Sequence, residues 1–151
     1  MESFLLGLVF LASSVVRYRL DLAFIGAVIP FKRTILPVLV LAAINYMVTI
    51  VIQLPVAVNM MVMLIAVVAV LNIFNKIQFL FSLTGSLLGY ITFGVTKIII
   101  VWPLLQVAGI SFNVKPATPE WISLGCAEIA IPVLVILILK HFKLSLMNLI
   151  K

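Results

Sequence analysis

The stretch Phe4–Ile29, FLLGLVFLASSVVRYRLDLAFIGAVI, decides how many times this chain can cross a membrane. It is long enough to span, since a crossing helix needs roughly 20 apolar residues, yet Arg17, Arg19 and Asp21 interrupt it. Two readings compete: one helix carrying three charges, or a short interfacial helix followed by a cramped second one. Leu22–Ile29 is too short to span alone, so a single helix is expected. The remaining spans are plain. Thr34–Leu54 opens after Lys32-Arg33 and closes at Gln53-Leu54-Pro55. Val56–Phe74 ends at Asn75-Lys76, Phe79–Trp102 at Pro103, and Trp121–Leu139 at Lys140-His141-Phe142-Lys143. The expected fold class is all-α: a polytopic transmembrane helical bundle of about five spans forming one domain, residues 1–151, with a tail at 140–151.

Composition agrees. The 151 residues are 66% hydrophobic and 9% charged, with mean hydropathy +1.41, whereas soluble domains are about half apolar and a quarter charged. A soluble globule of this size would have almost nothing polar to cover its surface, so soluble enzymes, disordered tails and disulfide scaffolds are excluded. The excess of 10 Lys+Arg over 4 Asp+Glu falls mostly between apolar runs, the pattern of topology signals and anionic-lipid contacts. Without a basic stripe interleaved with aromatics, no nucleic-acid partner is expected. The single Cys126 cannot form an intrachain disulfide. Glu2 stands where a signal peptide would carry basic residues, and no clean small-residue cleavage site follows.

Charge also orients the bundle. With five spans and the N-terminus outside, Lys32, Arg33, Lys76, Lys140, Lys143 and Lys151 fall on the cytoplasmic side and only Lys115 outside, as the positive-inside rule requires. Trp102 and Trp121 then anchor the outer interface. The only long loop, Leu104–Glu120, is external. Its end, Thr118-Pro119-Glu120, reads as an N-cap, a Pro at the first helical position and an acid in the first turn.

Charges inside a bilayer cost at least about 2.5–3.5 kcal/mol each at its centre, so each needs a partner or a purpose. Lys97 lies five residues before Trp102, and Glu128 seven after Trp121, which puts both roughly 8–10 Å below the outer interface. They can meet as an ion pair. It would serve as a polar site or switch, or as a static pair fixing helix register; alternatively Lys97 snorkels outward. Arg17 and Asp21, four apart, share a helix face. Arg19 points elsewhere and needs another helix, a lipid phosphate or water. Ser82, Gly85, Gly89, Thr92 and Thr96 form a small-residue stripe containing a G-x-x-x-G, either a homodimer seam or a packing face within one bundle. Asn45, Thr49 and Gln53 give the second span a weak polar face, and Met60, Met61 and Met63 an adaptable apolar surface to the third. Phe142, Leu146 and Leu149 lie along one side of Lys140–Lys151, as in an interfacial helix.

No catalytic pattern emerges. Cys126 and His141 sit at opposite ends of one helix, about 22 Å apart, too far for a thiol and its base. HExxH, Walker and Rossmann signatures are absent. No catalytic, cofactor or metal residues are assigned, and a non-enzymatic module is expected.

The order of features resembles a known family. A basic Lys32-Arg33 turn precedes a helix ending near Leu54-Pro55, then an apolar helix and a turn at Asn75-Lys76. A helix with Lys97 before Pro103, a loop with Gly109-Ile110, and a last helix with an embedded Glu128 complete the series. This is similar to the multi-helix membrane sensor region of GHKL-type histidine kinases of Gram-positive bacteria, the accessory-gene-regulator-like group, without the kinase domain. His141 lacks the acidic neighbour a phosphoacceptor needs, and the ATP-binding boxes are missing. The resemblance implies a sensor-like module in a bacterial cytoplasmic membrane. It would act through a partner, which could be a kinase, a regulator, a larger membrane complex or a second copy of itself. The alternatives are a small transport component, such as the substrate-binding subunit of a multi-subunit importer, and a purely structural subunit.

Overall fold

The computed structural model describes the backbone of residues 2–107 and 119–149. All regular structure among these residues is helical. Helix α1 spans Glu2–Ile25 and α2 spans Phe31–Tyr46, continued by a π-helical segment, Met47–Val51. Helix α3 is Val56–Asn75. Helix α4, Phe79–Thr96, runs through a second π-helical segment, Lys97–Val101, into α5, Trp102–Val107. Helices α6, Pro119–His141, and α7, Leu146–Leu149, follow. Four stretches are long and apolar enough to cross a membrane: Phe31–Val51, Ala57–Asn75, Phe79–Ile99 and Glu128–Asn148. They mark a multi-pass membrane protein. Helix α1 is a fifth long helix, about 36 Å from end to end, and its three charges do not break it.

Local chemistry sets the ends. α1 stops at Ile25, short of Ile29, because Gly26 takes a left-handed φ of 87° and the Gly26 and Ala27 amides both donate to Leu22 O. This is a glycine C-terminal stop of the kind that satisfies the last carbonyls. Pro30 and Pro55, at φ −57° and −53°, lead into α2 and α3. α2 therefore begins at Phe31, three residues before the expected Thr34. Lys76 closes α3 in the left-handed region and donates its amide to Leu71 O.

Two expected boundaries are corrected. The span at Phe79–Trp102 does not end at Pro103; the helix continues to Val107. Proline lacks the N–H for residue i−4 and crowds that carbonyl, and the wider turn at Lys97–Val101 absorbs the mismatch. Among the described residues, 140–149 do not form one continuous interfacial helix. α6 extends through His141, then turns at Phe142 and Lys143, with Lys143 at φ 52°. The single-turn α7 then folds back under α1, where Ser145 lies against Gly26.

The hub of the bundle is α1, which packs against α2, α4 and α6, while α2–α3, α3–α4 and α4–α6 touch in sequence order. On α1, Tyr18, Leu20, Leu22 and Ile25 are essentially inaccessible. One cluster joins Tyr18, Leu22 and Ile25 to Val38 and Leu41 of α2 and to Val67, Val70 and Leu71 of α3. A second joins Leu20 to Phe93 of α4 and Ile136 of α6. The outer faces carry Ile65, Ile73, Leu80, Ile91, Leu134 and Leu137, all exposed, as lipid-facing helices require. α1 and α4 are antiparallel, with Ile25 at Gly85 and Asp21 at Gly89.

Substituting Gly26→Ala forces a left-handed alanine and drives its methyl into Ser145. The expected loss is about 1–3 kcal/mol, read by reversible unfolding in mixed micelles. Gly7→Ala, inside α1 where an added methyl meets nothing within 4 Å, is the control and raises stability by up to about 1 kcal/mol through helix propensity.

Candidate functional site

Of the three charges that interrupt the first helix, Asp21 is fully buried and Arg17 and Arg19 are partly so. Arg17 and Asp21, one turn apart on α1, approach to 3.5 Å between Nε and Oδ2. A bare Gly89 admits the carboxylate to the α1–α4 seam, because a Cβ there would overlap Asp21 Oδ1. A Cβ on Gly85 would lie 2.5 Å from Ile25 Cγ1. The G-x-x-x-G thus faces α1, where small residues let two backbones close in. The guanidinium lies 3.4 Å from the ring centroid of Tyr90 and 5.5 Å from that of Phe93, within cation–π range.

This pair is electrostatically closed but incompletely hydrogen-bonded. Both Asp21 oxygens, Arg17 Nε and Nη2, and the buried hydroxyls Ser14 Oγ and Ser86 Oγ have no hydrogen-bond partner among the described residues. A buried acceptor without a donor is costly, so the seam holds a fully buried carboxylate with no hydrogen-bond partner among the described residues. The rest of the stripe is satisfied locally. Thr92 and Thr96 donate to Leu88 O and Thr92 O at 2.9 and 2.8 Å, and Ser82 reaches Ile77 O at 3.5 Å.

Arg19 turns the other way. It donates to Ile29 O at 3.1 Å and to Thr34 Oγ1 at 3.4 Å, tying α1 to the following turn and the start of α2. Thr34 in turn donates to Phe31 O at 2.7 Å. At the opposite end of the bundle, Lys97 Nζ and Glu128 Oε1 stand 3.5 Å apart, with side chains 57% and 25% exposed. Lys97 opens the π-helical segment before Pro103, so this pair sits on the flank rather than in the core. A smaller chain joins α2 to α3: Asn59 donates to Thr49 Oγ1 at 2.9 Å, and Thr49 to Asn45 Oδ1 at 3.1 Å. Gln53 lies outside that chain, exposed, near Ile50 O.

Trp102 is half-exposed beyond the Lys97 segment. Cys126 is free and exposed, and the ring of His141 stacks edge-on to Phe142. Among the described residues no three of His, Cys, Asp and Glu gather into a metal-ligand group. Lys115, Lys151, Thr118, Gly109-Ile110, most of the Leu104–Glu120 loop and the side chain of Trp121 lie outside the described residues. Sequence reading missed Tyr90 and the Tyr18–Asn75 hydrogen bond between α1 and α3. Tyr90 follows Gly89 and could have been suspected as a cover for a buried Arg. Nothing local in the sequence links Tyr18 to Asn75.

Removing one member of the buried pair leaves the other charge uncompensated. Asp21→Asn is expected to cost about 3–5 kcal/mol, while Arg17→Gln with Asp21→Asn lies closer to wild type. Thermodynamic unfolding of the three variants in mixed micelles checks the order.

Searches against protein-family models, curated proteins and solved structures return no match, so the functional reading rests on the residues and their geometry.

Proposed function

We propose that this chain is a non-enzymatic module of five spans, with its N-terminus outside and its C-terminus in the cytoplasm, that takes in a signal or holds an assembly together through a partner protein. The observation that carries this reading is the Lys97–Glu128 pair. Arg17, Arg19 and Asp21 on α1 face the inside of the bundle, but Lys97 is exposed beside Ile98 and Ile99, themselves 62% and 61% exposed. A charged pair on an apolar flank at membrane depth is incompletely solvated. A polar group from a neighbouring transmembrane helix completes it, and the adjoining π-helical segment supplies a turn of the kind that recurs at functional sites. The orientation rests on Lys32, Arg33, Lys76, Lys140 and Lys143, which bracket one end of the helices. A sensor in the manner of GHKL-type kinase membrane regions, in a bacterial cytoplasmic membrane, is the form suggested by the sequence resemblance.

One observation favours a small transport component as the second reading. The Asp21 carboxylate is buried on the helix seam with both oxygens free of hydrogen bonds among the described residues.

The test is mild-detergent purification of the tagged chain from native membranes, followed by mass spectrometry. A stoichiometric protein partner is expected, and Lys97→Gln should weaken its retention. Exchanging the charges, K97E with E128K, should restore bundle stability but not the partner. A chain that purifies without a partner overturns the reading. Saturable binding of a small solute, lost in D21N, would install transport instead.

A further inference from the structure

We infer that the cavity between the end of α1 and the α6–α7 turn is a binding site for a phosphate head group, filled by an anionic phospholipid. The cavity measures about 230 Å³, and Arg19, Lys140 and Lys143 line it. No described carboxylate lines it. Among the described side chains neither Asp21 nor Glu128 is placed to neutralise these cations. Asp21 is turned into the α1–α4 seam against Arg17, Glu128 pairs with Lys97 at the far end, and Glu2 and Glu120 stand at the starts of α1 and α6.

Arg19 gives the site its rigidity. A guanidinium has five N–H donors, and the bonds to Ile29 O and Thr34 Oγ1 occupy two. They hold the group in place while the remaining donors stay available, and a planar fork of this kind matches phosphate oxygens. It sits about 9 Å along α1 from Ile25, deeper in the bundle than the two lysines, which stand at the α6 terminus and the turn beyond it.

The cavity has two chemistries, as a lipid does. Leu22 and Leu139 form apolar wall, while Asn148 and the two lysines form a polar rim. Basic pockets between transmembrane helices on the cytoplasmic side are suited to lipid head groups. The same cations would attract a soluble phosphate, but the apolar wall would give it nothing. The site stands independently of any protein partner.

The experiment is native mass spectrometry of the full chain released from phosphatidylcholine nanodiscs doped with phosphatidylglycerol. A parallel calorimetric titration uses inorganic phosphate. Wild type is expected to retain one phosphatidylglycerol in preference to phosphatidylcholine. K140Q with K143Q should lower that retention about tenfold or more. K32Q with R33Q removes two cations from the same end that do not line the cavity, and should change retention less than threefold. Arg19→Lys keeps the charge but loses the fork, and should fall between wild type and the double lysine variant. If inorganic phosphate binds with the same lysine dependence and phosphatidylglycerol is not retained, the lipid assignment is overturned in favour of a soluble phosphate. Equal losses from both double variants reduce the effect to general surface charge and overturn the site. Equal retention of the two lipids by wild type overturns it as well.

Discussion

The structure depends on one constraint: an ion pair buried in a helix that must live among apolar neighbours. Arg17 and Asp21 cannot face lipid without a heavy desolvation cost, and they share a face of α1. That face has to be covered by protein, which places the long helix with the most charges at the hub and leaves α2, α3, α4 and α6 around it. The cover must also be thin. Gly89 meets the carboxylate, Gly85 meets Ile25, and Tyr90 lays its ring on the guanidinium. A larger residue at either glycine would prise the two helices apart, so the small-residue stripe and the buried pair specify each other.

The charges carried by the helices divide between the two ends of the bundle. Arg17, Arg19 and Asp21 lie within about 12 Å of the C-terminal end of α1, the end that also carries Lys76, Lys140 and Lys143. Lys97 and Glu128 lie toward the opposite end. The first group is held by internal contacts and organises the fold. The second is a single pair on the flank, next to a π-helical segment that exists because Pro103 cannot complete an ordinary α-helical turn. Stability and exposure are thereby separated: the core charges fix the architecture, and the flank charges remain open to a neighbour.

Much of this was legible in residue order. Hydropathy located the four apolar spans, since a run of about 20 apolar residues leaves no other option in a membrane chain. The i, i+4 spacing brought Arg17 and Asp21 together, and equal depth on antiparallel helices brought Lys97 to Glu128. The stripe from Ser82 to Thr96 was visible as a packing surface, but its partner was not, because glycines mark a close approach without naming what approaches. Pro103 reads as a helix end in the sequence, but the helix widens over Lys97–Val101 and continues through Pro103 to Val107. The chain after Lys140 was expected as one amphipathic helix, but Lys143 turns left-handed and Ser145 is drawn under Gly26.

Residue order alone is enough to read a helical membrane protein, to place its apolar helices, and to require that its charges be paired, because bilayer energetics act on composition and on spacing within a helix. Which helix is central, which face Gly85 and Gly89 cover, and that Arg19 bends back to the α1–α2 turn beside two lysines of the α6 end follow from the packing of the helices. Those outcomes depend on side chains far apart in the chain meeting at one place. Helical periodicity sets the face on which a residue lies, and packing between helices sets what that face meets.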